Sequence, residues 1–216
     1  MTEHNFEQMR RAMVSNSLRT TGVSDARVLA AMGAVPRERF VPPERAAVAY
    51  ADNPVPLTGD RELNSPLALG RLLTEAAPQD GERALVIGAA TGYAAAVMDR
   101  LVGSVVAVED DPELVAIAHT RLADTGVKLV HGPMTEGYEP GAPYDLILID
   151  GAVEFIPDML VAQLRDGGRL AAALLEEGVS RLAIGRRAGE GFGMAPVSDR
   201  AAAILPGFVM PRTFTF

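Results

Sequence analysis

The residues of this chain best suited to chemistry are a glycine turn and an acid that follows it. Val86-Ile87-Gly88-Ala89-Ala90-Thr91-Gly92-Tyr93 joins an apolar run to a helical stretch. Such a turn presents backbone N–H groups at a helix N-terminus, and glycine lets the chain bend sharply while a ligand approaches. Gly88 and Gly92 can supply that freedom, whereas Ala90 stands where a middle glycine is usual. Glu109 follows 21 residues after Gly88, at the end of the next apolar run. An acid at that spacing and that strand end is placed to accept both hydroxyls of a ribose. The competing role for Glu109, Asp110 and Asp111 is to charge the N-terminus of the next helix. Asp110 and Asp111 suit that role, and Glu109 suits the ribose. The turn itself leaves open whether the nucleoside is a dinucleotide or carries a charged amino-acid tail. Asp150, at the end of the apolar run Leu146–Ile149, stands where ligands of α/β sheets sit and is a cleft candidate. Asp145, before that run, reads as a turn residue.

What the chain lacks narrows the chemistry. Its 216 residues contain no cysteine, which excludes disulfides, thiolate catalysis and thiolate-held metal clusters. The histidines His4, His119 and His131 have no metal-ligand spacing, and we read them as structural or exposed. No metal site is expected. Lys and Arg number 20 against 28 Asp and Glu, a formal charge of −8. That balance disfavours nucleic acid as a partner, because phosphate backbones bind to basic surfaces. No apolar stretch reaches the ~18–20 residues of a membrane span, and no signal-peptide pattern opens the chain. The expectation is a cytoplasmic protein without a membrane partner. Its oligomeric state is not legible.

The elements that must position the turn and the acid form an α/β pattern. Short apolar runs at Ala84–Gly88, Val105–Val108, Val127–His131, Leu146–Ile149 and Leu170–Leu175 alternate with helical stretches. Continuous apolar runs of this length imply buried parallel strands with helical crossovers, a doubly wound sheet. The helices expected between them run to Leu101, from Pro112 to about Ala123, and through Ile156, Met159, Leu160 and Leu164. Ahead of this core, Phe6, Met9, Met13 and Leu18 predict a first amphipathic helix. Ser24 is expected to cap a second helix carrying Val28, Leu29 and Met32. Prolines at 36, 42, 43, 54 and 56 make the segment from Val35 to Leu57 irregular. Ser65-Pro66 reads as a cap and first turn of a helix that ends at Pro78. Leu182 and Ile184, then Phe208, Met210, Phe214 and Phe216, predict late half-buried strands. We therefore expect residues 1–80 to form a cap with a lead-in helix, and residues 81–216 to form the core, within one compact unit.

Several segments in order resemble the protein-L-isoaspartate O-methyltransferase family. They are Arg10 to Val14, Gly22 to Met32, Val35-Pro36-Arg37-Glu38-Arg39-Phe40-Val41-Pro42, Ala49 to Asp52, Thr91 to Val97, Val108-Glu109, Pro143 to Asp145 and Leu164 to Leu170. The proline-rich segment is the most specific of these. The resemblance implies a Rossmann-like methyltransferase core that binds S-adenosylmethionine, with Glu109 holding the ribose and an N-terminal cap over the substrate. It extends the cofactor contacts to Gly88, Ala90, Thr91, Gly92, Asp110, Met134 and Asp150, and the substrate contacts to Asn64 and Ser65. The implied partner is a peptide or protein bearing an isoaspartyl or other carboxylate acceptor, and the implied role is protein repair. Transfer of a methyl group from a sulfonium to a carboxylate is an in-line displacement that needs positioning and exclusion of water rather than a thiol or metal.

Four positions depart from the family pattern. Val86 replaces an acid near the cofactor's amino group and cannot accept a hydrogen bond. Ala90 replaces the middle glycine. His131-Gly132-Pro133-Met134 lacks the acid that receives the adenine amino group, although Met134 can pack on a ring face. Glu62-Leu63-Asn64-Ser65-Pro66 puts Asn64 at the position of the substrate hydroxyl, with Ser65 one residue later and the acid Glu62 close by. Two readings follow: a divergent methyltransferase, or a catalytically impaired member serving as a nucleoside-binding or interaction module.

Overall fold

The computed structural model of the protein describes residues 3–210. Helix α1 (Glu3–Ala12) runs on as a π-helical turn, Met13–Leu18, and stops at Gly22 with φ 97°. Met13 and Leu18 are buried there. Helix α2 (Ala26–Ala34) is capped by Asp25, not Ser24: the Asp25 carboxylate accepts from the N–H groups of Arg27 at 2.7 Å and Val28 at 3.4 Å. Adjacent cap formers compete, and burial of Val28, Leu29, Ala31 and Met32 selects the register. From Val35 the chain makes 3₁₀ turns at Arg37–Phe40 and Pro43–Val48, then a short ladder of β1 (Val55–Pro56) against β2 (Glu62–Leu63). Helix α3 (Pro66–Ala76) starts as its sequence dictates, with the Ser65 hydroxyl accepting from the Ala68 N–H at 3.2 Å and Pro66 in the first turn.

The main sheet contains β3 (Arg83–Ile87), β4 (Ser104–Glu109), β5 (Lys128–His131), β6 (Tyr144–Val153), β7 (Leu164–Glu176), β8 (Val179–Ala188) and β9 (Gly191–Ser198). Their spatial order is β5-β4-β3-β6-β7-β8-β9. The first five of these positions pair in parallel, and β8 and β9 add antiparallel hairpins at one edge. The chain leaves β3 toward β4 on one side and returns to it with β6 on the other. Between β3 and β6 the order therefore reverses, which opens a crevice at the carboxyl ends of the strands. Helices α4 (Tyr93–Met98) and α5 (Pro112–Arg121) are the first two crossovers. Alternate residues of each central strand enter opposite apolar layers. Val86, Leu146 and Leu148 join α2, α3 and α4, while Leu85, Ile87, Ile147 and Ile149 join Leu160 and Phe208. A parallel strand covered on both faces reads as a continuous apolar run for this reason. The first layer mixes residues from before and after position 80.

Two expected elements are corrected. The crossover helix before β7 is only α6 (Asp158–Ala162); Ile156 precedes it, and Leu164 pairs with Tyr144 as the first residue of β7. The parallel ladder captures Leu164 because the Tyr144 N–H donates to the Gln163 carbonyl at 2.8 Å. The late strand expected through Phe208 and Met210 is absent. Pro206 and Gly207, the latter at φ 85°, interrupt any extended run; Phe208 is buried and Met210 exposed. Phe214 and Phe216 lie outside the described residues. The edge strand β9 went unread because Gly191, Gly193 and Pro196 have poor strand propensity, which an edge tolerates. Arg169 ties the halves of the sheet to the cap: its Nε donates to the Ala76 carbonyl at 2.7 Å and its Nη2 to Glu82 at 2.7 Å.

Candidate active site

The glycine turn and Glu109 meet at the carboxyl ends of β3 and β4, as their spacing requires. Glu109 is fully buried, and its two oxygens accept five N–H groups. Oε1 takes Arg61 Nη1 at 2.5 Å and the backbone N–H groups of Asp110 at 3.1 Å and Asp111 at 3.2 Å. Oε2 takes Arg61 Nη2 at 2.9 Å and the Ala90 N–H at 2.6 Å. Burial pushes the Glu109 carboxyl up, but the Arg61 guanidinium and these N–H donors outweigh it and hold its pKa below the usual carboxylate range. Arg61 reaches it from the tight turn that links β1 to β2, closed by hydrogen bonds between Leu57 and Arg61 (2.9 Å) and between Arg61 and Thr58 (3.0 Å). Asp111 caps α5 as expected, accepting from the Glu113 N–H at 2.8 Å. Asp110 does not cap; it lies 3.7 Å from Arg61, and burial followed by the neighbouring Glu109 raises its pKa.

The other residues of the turn are committed to the fold. Gly88 and Gly92 have φ of 75° and 101°, so each uses the freedom expected of it. Ala90 adopts φ 50° without being glycine, a conformation that costs an L-residue about 1–2 kcal/mol. The Thr91 hydroxyl donates to the Phe40 carbonyl at 2.5 Å, fastening the turn to the proline-rich cap. Val86 is fully buried in the apolar layer. Met134 is buried in the other layer rather than facing an open cleft, and Pro133 beside it is exposed. His131 is exposed and lies 3.1 Å from the Asp110 carbonyl; His119 is also exposed. The side chain of His4 is outside the described part. Among the described residues, no group of three or more His, Cys, Asp or Glu could hold a metal ion.

Asn64 and Asp150 also come together, next to the same crevice. Asn64 is 2% exposed. Its Nδ2 donates to Asp150 at 3.0 Å, and its Oδ1 accepts the Ala203 N–H at 2.9 Å. Its backbone carbonyl accepts from Arg37 Nη2 at 2.5 Å. Burial raises the Asp150 pKa, opposed by the Asn64 hydrogen bond and by the Arg37 and Arg61 charges. Arg37 is itself fully buried; it holds the Ala49 carbonyl with Nε at 2.6 Å and stacks 4.7 Å above the Tyr93 ring. Its Nη1 and the Tyr93 hydroxyl have no hydrogen-bond partner among the described residues. Ser65 faces its own helix and is accounted for by capping.

The C-terminal segment closes the crevice. It docks on the end of β6 through three backbone bonds: Ala152 N–H to Ala203 O at 2.7 Å, Leu205 N–H to Ala152 O at 2.9 Å and Glu154 N–H to Phe208 O at 2.9 Å. Leu205 is 2% exposed. A methyl group added to Gly88 would come within 2.8 Å of Leu205 Cδ1, and one added to Gly151 within 2.7 Å of Leu205 Cβ. Carbon atoms need about 3.5–4.0 Å of separation, so no layer of ligand atoms fits between the turn and Leu205. A nucleoside of the kind the resemblance implies does not fit this arrangement, because Arg61 takes both Glu109 oxygens and Leu205 covers the turn. A separate crevice of about 330 Å³ lies outside Thr91, lined by Phe40, Leu57, Thr58, Leu114 and Ile117 among others.

Reasoning from sequence missed Arg61, Arg37 and Leu205. Arg37 lies inside the quoted proline-rich motif, whose specificity was a signal that one of its residues is buried and polar. Arg61 and Leu205 carry no periodicity or spacing that marks them.

Comparison with known proteins agrees with this architecture. The protein-L-isoaspartate O-methyltransferase 2 of Anaeromyxobacter sp. (strain Fw109-5) is 39% identical over 181 residues, covering 82% of this chain and 74% of that protein. The protein-L-isoaspartate O-methyltransferase of Herpetosiphon aurantiacus is 36% identical over 197 residues, covering 90% and 88%. A solved protein-L-isoaspartate O-methyltransferase superposes with a TM-score of 0.79 at 26% identity, over 92% of this chain and 66% of that one. A Plasmodium falciparum structure in complex with S-adenosyl-L-homocysteine shares the fold at a TM-score of 0.77 and 18% identity. The profile described as protein-L-isoaspartate(D-aspartate) O-methyltransferase matches residues 8–194, and with relatives this similar over most of its length the chain belongs to that family.

Proposed function

We propose that the protein is an S-adenosylmethionine-dependent O-methyltransferase whose acceptor is the carboxylate of an isoaspartyl residue in a peptide or protein. One observation carries the reading: Glu109 ends β4 beside the Gly88–Gly92 turn, at the carboxyl ends of parallel strands where a nucleoside belongs. Family membership over residues 8–194 supplies the reaction class. Glu109 is the proposed ribose acceptor, since a carboxylate held ionised by N–H donors despite its burial is preorganised for hydroxyl groups. Arg37 is the proposed positioning residue of the substrate loop: it grips the Asn64 carbonyl and thereby sets the segment that precedes α3. The bonds of the Asn64 side chain to Asp150 and to the Ala203 N–H support a structural role for it in the form described.

The test is transfer of labelled methyl groups to an isoaspartyl peptide and to its aspartyl twin, read as base-released methanol. Label is expected on the isoaspartyl peptide alone. Label on neither peptide, at saturating donor, overturns the acceptor assignment.

A further inference from the structure

We propose that Arg61 and Leu205 are internal occupants of the cofactor cleft, so that the β1–β2 turn and the segment Ala201–Met210 form a gate that must withdraw before the cofactor enters. This inference rests on the reading of the cleft as an S-adenosylmethionine site. Two separate parts of the chain fill two separate parts of that cleft. The Arg61 guanidinium places one N–H on each oxygen of Glu109, the same two acceptors that a ribose diol requires. Leu205 lies directly on the backbone of Gly88 and Gly151, at the reversal of strand order between β3 and β6.

Both occupants are mounted on elements that can move without unravelling the sheet. Arg61 sits on a two-strand ladder that pairs only Val55 with Leu63 and Pro56 with Glu62. The C-terminal segment belongs to no strand; it is held at the end of β6 by three backbone hydrogen bonds around one isolated bridge, Ala152 with Ile204. The two parts are also joined, because Asn64, three residues after Arg61, accepts the Ala203 N–H. Withdrawal of one therefore loosens the other. Gating lowers apparent affinity by the fraction of molecules that are open; it also explains how a chain with the family's framework has no room for the ligand in this form.

Calorimetric titration with S-adenosylhomocysteine tests the gate on the intact chain, comparing wild type with Arg61→Gln and Leu205→Gly. Each substitution is expected to tighten binding at least ~10-fold, since it removes an occupant while leaving Glu109 and the glycine turn themselves unsubstituted. Equal or weaker binding by both folded variants overturns the gate alone. Binding by none of the three proteins at millimolar ligand overturns the cofactor reading and the gate with it. A second measurement needs no variant: hydrogen exchange of the Ala203 and Leu205 amides in wild type should accelerate when the ligand is added. Unchanged or slower exchange in a ligand-bound protein shows that the segment stays in place and refutes the proposal.

Discussion

At the scale of single residues, the site is governed by two buried acids with opposite electrostatics. Glu109 has its charge satisfied by Arg61 and backbone N–H groups, so its pKa falls below normal. Its stabilising contribution is present above the ordinary glutamate value of about 4.3 and is lost as pH drops through the lower folded value. Removing one member of such a buried pair costs about 3–5 kcal/mol, because the partner is left charged and unpaired. Asp150 behaves in the contrary sense. Burial raises its pKa, so the unfolded chain ionises first as pH rises above about 3.9, and folding stability declines through that window. Asp150→Asn keeps an oxygen to accept from Asn64 and removes the charge. It is expected to raise the urea midpoint above wild type at pH 8 and to shrink that advantage at pH 4, as followed by circular dichroism.

At the scale of elements, short-range chemistry decides where helices begin. Asp25, Ser65 and Asp111 each cap the helix that follows them. For Ser65 this capping bond competes with the substrate role implied by the family resemblance. Ser65→Ala is expected to lower stability by about 1 kcal/mol, the usual cost of losing such a cap, with denaturant unfolding as the measurement. A fall in kcat far beyond that effect in the folded variant would return Ser65 to the substrate. The glycine turn shows the same locality. Gly88 and Gly92 were legible as left-handed positions, and Ala90 holds one as well because its N–H is drawn to Glu109. Helix α6 and the C-terminal segment were misread for the opposite reason. Their residues have the spacing of a helix or a strand, but ladder pairing with Tyr144 overrides it in the first, and in the second Pro206 and Gly207 break the run that docks on β6.

At the scale of the whole molecule, distant side chains hold the layers in register and decide whether the cleft is open. Arg169 joins β7 to the end of α3 and to Glu82, with most of its surface buried. Arg169→Ala is expected to cost about 3 kcal/mol, since it strips the part-buried Glu82 of its guanidinium partner and the Ala76 carbonyl of its donor. For a chain of this size that lowers Tm by about 6–12 °C, measurable by calorimetry. The α/β class, the parallel strands, the glycine turn, Glu109 and the Ser65 cap were all determined by the sequence alone, because apolar runs, capping and fixed spacing act over a few tens of residues. The state of the cleft was not. Arg61 meets Glu109 from 48 residues away, and Ala203 meets Asn64 from 139. No local pattern encodes such a meeting; it exists only once the sheet order brings the ends of β3, β4 and β6 together. Burial then makes an unpaired charge or a gap there costly, which favours the arrangement in which Arg61 and Leu205 fill it.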